Sequence, residues 1–440
     1  MRRLICPTLV LALGLAGTAH AANPAYPPPA KPKVQAKPSG PFHTLRVSKH
    51  GHYKTISAAV KAAKAGDTIR VANGTYHEGV LVKGSSKRYL KIVGNSADPA
   101  KVVLEGKGLK GARAQNGIQV DGADQVTLAG LTAQHYKANG FFLVNVIGYK
   151  ATKLHAFKVG TYGVYAFNSV GGSITDSVAA WNNDSGFYIG QTPPQVKPVR
   201  TTVRHVVSYG NVLGFSGTNM RYVTITQSQW FDNGTGIVPN ALHSEKYAPP
   251  EDNVITDNDV FWNNFNYYKA APFKVKGHNK DSTPYPVGVG ILLFGSHTTQ
   301  VTGNRVYGNY LAGFGMITQF LLSQEPGAQD LIGNQVTNNA FGLGGADRNG
   351  RDLVYDGNGN DNCFAGNTGV AVMTPANGST LANCPFSGAN AFSDDTEKEV
   401  VTWALDPTHE TYWSKSAHVA KKGLLPLEDY RTYKGKKAPK

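Results

Sequence analysis

The chain has 440 residues, with 44 Lys+Arg against 29 Asp+Glu, a formal net charge of +15, 50 Gly, 24 Pro and 3 Cys. Charged residues make up 17% and the apolar set 41%, so the chain is too poorly charged for a coiled coil and too apolar for a disordered protein. The Gly excess points to a turn-rich all-β protein, and three Cys in this length exclude a small disulfide scaffold.

The N-terminus reads as a cleaved signal peptide over residues 1–21. Arg2 and Arg3 form a basic start, Leu4 to Ala16 an apolar run, and Ala19-His20-Ala21 a small-residue cleavage site. No other run is apolar enough for a membrane span, which predicts a secreted or cell-envelope protein with no transmembrane segment. Cys6 falls within the leader, leaving Cys363 and Cys384 to pair as a disulfide in an oxidising compartment. Residues 22–42 contain seven Pro and three Lys and predict an extended, semi-rigid basic linker. Basic residues also crowd the other end, with seven Lys/Arg against two acids over 421–440. Such ends attract anionic cell-wall polymers. Nucleic acid is not expected as a partner, since the chain is exported and carries no recognition motif.

A short amphipathic helix follows from about Thr55 to Lys64, with Ile56, Ala59, Val60 and Ala63 on one side. Gly66-Asp67-Thr68-Ile69-Arg70-Val71 then turns into a strand, and Gly74-Thr75-Tyr76 begins another. From there an internal repeat dominates: Gly followed by a large apolar residue and a strand-like run. It occurs at Gly117, Gly140, Gly163, Gly186, Gly214, Gly236, Gly290, Gly313 and Gly342, mostly 22 or 23 residues apart with insertions between the others. A unit this short has no room for a full helix and suggests one coil of a parallel β-helix, stacked about 4.8 Å from the next. Asn145, Asn168, Gln191 and Asn219 stand five residues after their Gly, where amides one rung apart can form a ladder.

The helix, the GDTIRV and GTYHE strings and the coil period resemble the pectin-lyase-like right-handed parallel β-helix superfamily over about 45–385. The resemblance implies an all-β, single-stranded right-handed parallel β-helix with an N-terminal capping helix and three parallel sheets. It also implies that any polysaccharide site lies outside one sheet, between protruding turns. The expected organisation is a β-helix over 43–385 followed by a basic C-terminal appendage over 386–440, as a monomer. The superfamily's catalytic motifs do not carry over. Gly74, Tyr76 and Glu78 match a pectin-methylesterase-like G-x-Y-x-E string without its later partners. Asp406-Pro-Thr-His409 does not replace the D-P-H-D of alginate epimerases.

Strand alternation sends the residue after each repeat Gly inward, from Ile118 and Phe141 through to Leu343, and the residues two and four after it outward. Phe142, Tyr165, Phe167 and Tyr188 then share one outer face, where aromatic rings can stack on sugars; Asn240 and Phe294 join them as candidate substrate-binding residues. Insertions at 192–198, 240–252 and 266–287 should flank this face. The middle one holds His243, Glu245 and Lys246, a candidate base, acid and cation for a polysaccharide lyase, epimerase or hydrolase. The other reading is a polysaccharide-binding wall or surface protein without catalysis. Asp356-Gly-Asn358-Gly-Asn360-Asp361 has the alternating oxygens of a calcium loop but lacks its closing Glu, so a Gly-rich turn is expected; the sequence requires no metal or cofactor.

Overall fold

The computed structural model describes residues 29–268, 285–319 and 330–405. The expected signal peptide, the first residues of the expected linker, most of the 266–287 insertion and the basic segment 421–440 lie outside the described residues. The described chain is a parallel β-helix in which each coil contributes three strands, all paired in parallel with the coils before and after it. One column of strands forms an 11-stranded sheet, from Val80–Lys83 at one end to Met373–Thr374 at the other. The remaining two columns merge into a 20-stranded sheet, because Thr127–Gln134 and Lys150–Phe157 run unbroken through both.

Left-handed residues make the corner between those two columns. Gly130, Lys153, Asp176, His205, Gln227, Asp257, Gly303 and Asn338 occupy the same place in successive coils, and each has φ between 50° and 68°. Stacked Asn follow the corner in the later coils: Asn258 donates to Asn304 Oδ1 at 3.0 Å, and Asn304 to Asn339 Oδ1 at 2.9 Å. A second buried ladder links Asn182, Asn211, Asn233, Asn263, Asn309 and Asn349 at 3.0–3.1 Å. Each amide also meets a backbone group, so these turns bury their polar atoms without an orphan.

The inward column of the 11-stranded sheet runs in register through Val80, Ile118, Phe141, Val164, Phe187, Phe215, Ile237, Ile291 and Phe314. All of them are buried in the central core. The next member is Leu353, not the expected Leu343. Gly342 and Leu343 have φ of 67° and 46°, which coils Gly342–Gly345 into a 3₁₀ turn, and the rung strand is delayed to Leu353–Tyr355.

Helix α1 (Ile56–Ala62) closes the first coil. Thr55 accepts from Ala58 N, and the buried Glu78 carboxylate accepts from Ile56 N at 2.7 Å and Ser57 N at 2.9 Å. That gives Glu78 of the G-x-Y-x-E string a capping role. At the far end Cys363 and Cys384 form a disulfide with Cα atoms 4.9 Å apart. The described part of the Pro/Lys segment lies along the flank of the coils. Ala30 N donates to Pro194 O at 3.3 Å, Gln35 Nε2 to Gly122 O at 2.9 Å, and Arg88 Nε to Ala36 O at 2.6 Å.

A second hydrophobic cluster lies outside the coils. Tyr209, Phe231, Phe261 and Tyr307 stack at 5.0–5.3 Å with planes 5–10° apart. Helix α2 (Asp394–Leu405) joins this cluster through Val400 and Trp403. Arg351 holds the helix down, pairing with Glu399 at 2.5 Å and lying 4.5 Å over the Trp403 ring. Among the described residues, no helix is long and apolar enough to cross a membrane.

Candidate functional site

The outer face of the 11-stranded sheet carries an aromatic cluster at adjacent rungs. Phe142, Tyr165 and Tyr188 are direct register partners. Phe142 stacks on Tyr165 with centroids 4.5 Å apart and planes 8° apart, and Tyr165 meets Tyr188 edge-on at 4.8 Å. Phe167 packs beside Tyr165 at 5.6 Å. Tyr162, in the turn before its strand, wedges between Tyr165 and Tyr188 at 4.7 and 4.5 Å. Phe142, Tyr162, Tyr165 and Phe167 are half-buried, whereas Tyr188 is only 2% exposed. Its ring leans over Gly190, where a Cβ would come within 2.4 Å of Tyr188 Cε1.

Tyr188 is covered by the 242–251 loop. The phenol donates to Glu245 Oε1 at 2.6 Å. The loop is fixed by the column of residues five after the repeat Gly. Asn219 Nδ2 donates to the carbonyls of Leu242 and Glu245 at 2.7 and 3.0 Å, and its Oδ1 accepts from Leu242 N at 3.0 Å. Gln191 Oε1 accepts from Lys246 N at 2.9 Å. The buried Arg221 pairs with Glu251 at 3.1 Å and donates to Tyr247 O. Earlier in that column the expected amide ladder is present, with Asn168 donating to Asn145 at 2.7 Å. All four positions have φ of 49–58°.

Burial pushes the Glu245 carboxyl up to about 7, against a smaller opposing effect of the Tyr188 hydrogen bond. Its Oε2 is buried with no hydrogen-bond partner among the described residues, as expected of a carboxyl that holds its proton. A second acid, Asp184, sits in the turn before the Tyr188 strand. Burial pushes it up to about 6, offset in part by the hydrogen bond from Ser185 Oγ at 2.7 Å. Tyr162, Tyr165 and Tyr285 feel both carboxylates, so these phenols lie near both acids. Burial first, and the carboxylates second, drive these phenols far above their ordinary value, so they act as neutral donors. Two acids with separately raised pKa values beside an aromatic platform can give and take protons near neutral pH.

The sequence-predicted residues fall into three groups. Phe142, Tyr165, Phe167, Tyr188 and Glu245 come together. His243 and Lys246 are exposed, and neither is among the groups acting on the Glu245 carboxyl. Asn240 and Phe294 lie further along the face and are buried, at 0% and 4% exposure. Strand alternation missed Asp184, Tyr162 and Tyr285 because they stand in turns and insertions. One signal was present: Asn116 and Asn139 form a ladder step at 2.8 Å just before their repeat Gly, and Tyr162 breaks that column. Among the described residues no group of three His, Cys, Asp or Glu could hold a metal. Asp356 accepts from Asn358 N and Thr318 N, and Asp361 from Gly388 N, so the Gly-rich stretch is a hydrogen-bonded turn.

Residues 116–319 match the family described as right handed beta helix region, and the chain has the fold of a right-handed parallel β-helix. No curated protein matches it. Among solved structures it is similar to the A-module of mannuronan C-5 epimerase AlgE4 from Azotobacter vinelandii. The identity is 14% and the TM-score 0.49, over 77% of this chain and 94% of that one. It is also similar to the pectate lyase Pel9A, at 16% identity and a TM-score of 0.41, over 79% and 82% of the two chains. At these values neither structure assigns a substrate or a residue role to this chain.

Proposed function

We propose that the chain is an exported glycan-processing protein that binds a polysaccharide on the outer face of the 11-stranded sheet and hydrolyses a glycosidic bond there. The observation that carries this reading is the placing of Glu245 over Tyr188, at the end of the half-buried Phe142–Tyr165 platform. A sugar packed across the outer edges of that platform would present its linkage to a carboxyl that keeps its proton near neutral pH. Glu245 then protonates the leaving oxygen as the glycosidic C–O bond breaks, and Asp184, the stronger acid of the two, takes the proton of the water that attacks the anomeric carbon. The neutral phenol of Tyr188 orients the acid, and that of Tyr162 donates to a sugar hydroxyl. No described Lys or Arg acts on either carboxyl, which favours a glycan of neutral sugars over a polyuronate whose carboxylate would need neutralising. The basic Pro/Lys segment on the flank would hold the protein near an anionic wall.

A screen of neutral polysaccharides, followed by product analysis on those that bind, tests this directly. The wild type should shorten the bound glycan. Glu245→Gln should lower kcat by about 10²- to 10⁴-fold, the range for one general acid, while binding survives. A bound glycan left intact by the wild type would make the face a binding surface without catalysis. Unchanged turnover in Glu245→Gln would remove that residue from the chemistry.

A further inference from the structure

We infer that the face receives the end of a glycan chain, which makes the protein a chain-end (exo-acting) glycan binder; the inference rests on the reading of this face as a glycan site. The outward column that carries the platform can be followed rung by rung. On the N-terminal side it is open: Leu81 is 52% exposed, and Gln119, Phe142 and Tyr165 are half-buried. These four residues are consecutive register partners. At Tyr188 the face closes, and everything beyond it is buried. Ser216 is 3% exposed, Val238 0%, Leu292 2% and Val354 0%.

The closure is built from three described pieces of chain. The Glu245 loop sits on Tyr188 and is held by Asn219, Gln191 and Arg221. The described residues 285–288 are fastened by Thr235 Oγ1, which donates to Pro286 O at 2.6 Å. Helix α2 covers Phe294, Ile317 and Val354 with Val400 and Trp403. A small gap remains under α2, but Leu292, Phe294, Ile317, Val400 and Trp403 line it; none offers a hydroxyl or an amide to a sugar, so it is no continuation of the groove.

A linear glycan lying along the rungs therefore cannot pass through. Its body runs over Tyr165, Phe142, Gln119 and Leu81 toward the N-terminal coils, and its terminal unit meets the wall of Tyr162, Tyr188 and Glu245. Rungs repeat at about 4.8 Å, close to the length of one pyranose unit, so the four open rungs accommodate about four sugars. With Glu245 at the wall, cleavage would release the terminal unit and leave the rest of the chain on the platform.

The test is a titration of linear gluco-, manno- and xylo-oligosaccharides of two to eight units. Each is measured with free ends, with a bulky fluorophore on the reducing end, and with a bulky acetal on the non-reducing end. Affinity should rise with length and level off at about four units. Blocking one of the two ends should weaken binding ten-fold or more, and blocking the other should leave it unchanged. If an oligosaccharide binds and neither block matters, the cleft is open and the chain-end inference is wrong, while the glycan site stands. If none of these oligosaccharides binds, the glycan reading falls and the inference falls with it.

Discussion

Glu245 is the residue on which the proposed chemistry turns, and its position has a clear local cause. Gln191 and Asn219 occupy left-handed turn positions that Asn and other short polar residues tolerate, and both use their amides to pin the loop that lowers Glu245 onto Tyr188. Burial then raises its pKa from 4.5 to about 7, and that of Asp184 from 3.8 to about 6. A carboxyl whose folded pKa lies above its unfolded value contributes stability at low pH, and that contribution is lost as the pH rises through the folded pKa. The melting temperature should thus fall between about pH 5 and pH 8, and Glu245→Gln should flatten part of that slope. A melting series at several pH values checks this; identical slopes in the two proteins would mean that Glu245 titrates like an exposed acid. The sequence pointed to Glu245 through the loop that carries it. It could not rank Glu245 above His243 and Lys246, because the choice depends on which side chain the loop turns under.

At the scale of the coil, strands and turns divide the work. Inward Ile, Val and Phe fill the centre, and stacked Asn satisfy the backbone at the corners. The inward column was legible because side-chain direction alternates with a period of two, and a strand keeps that period whatever lies between coils. The Asn ladders were harder to read. Asn233, Asn263 and Asn309 are 30 and 46 residues apart, as the hydrogen bonds between them show, because insertions separate equivalent turns. Leu343 was misplaced for a related reason: its Gly has the repeat spacing, but two successive left-handed residues end the strand there. Asn263 shows what a ladder amide contributes. It is fully buried, donates to Trp230 O and Asn309 Oδ1, and accepts from Asn233 Nδ2. Asn263→Ala should cost about 2 kcal/mol or more, through the donors and acceptors left unpaired. The exposed Asn145→Ala, at a φ of 58° that Ala tolerates poorly, should cost about 1 kcal/mol. Urea denaturation of both variants checks this, and equal losses would deny the buried ladder its structural role.

The whole molecule is asymmetric along its axis. One end is capped by α1 over the core, the Cys363–Cys384 disulfide lies at the other, and α2 packs on the outer face of the later coils. The sheet face is open over the first half and covered over the second. The coil repeat announced the scaffold, since every coil must repeat the same inward pattern to stack. The covering of the face was not legible, because α2 reaches it from the end of the chain and nothing in its sequence names the rung on which it lands. For the same reason Phe294 read as an open position although it lies under that cover. If the open half is a glycan site ending at Glu245, a crystal structure of the Glu245→Gln protein soaked with the neutral oligosaccharide it binds best will show a sugar packed against Tyr165 and Phe142, with its terminal linkage beside residue 245. A sugar bound firmly elsewhere on the molecule, with this face empty, would contradict that reading.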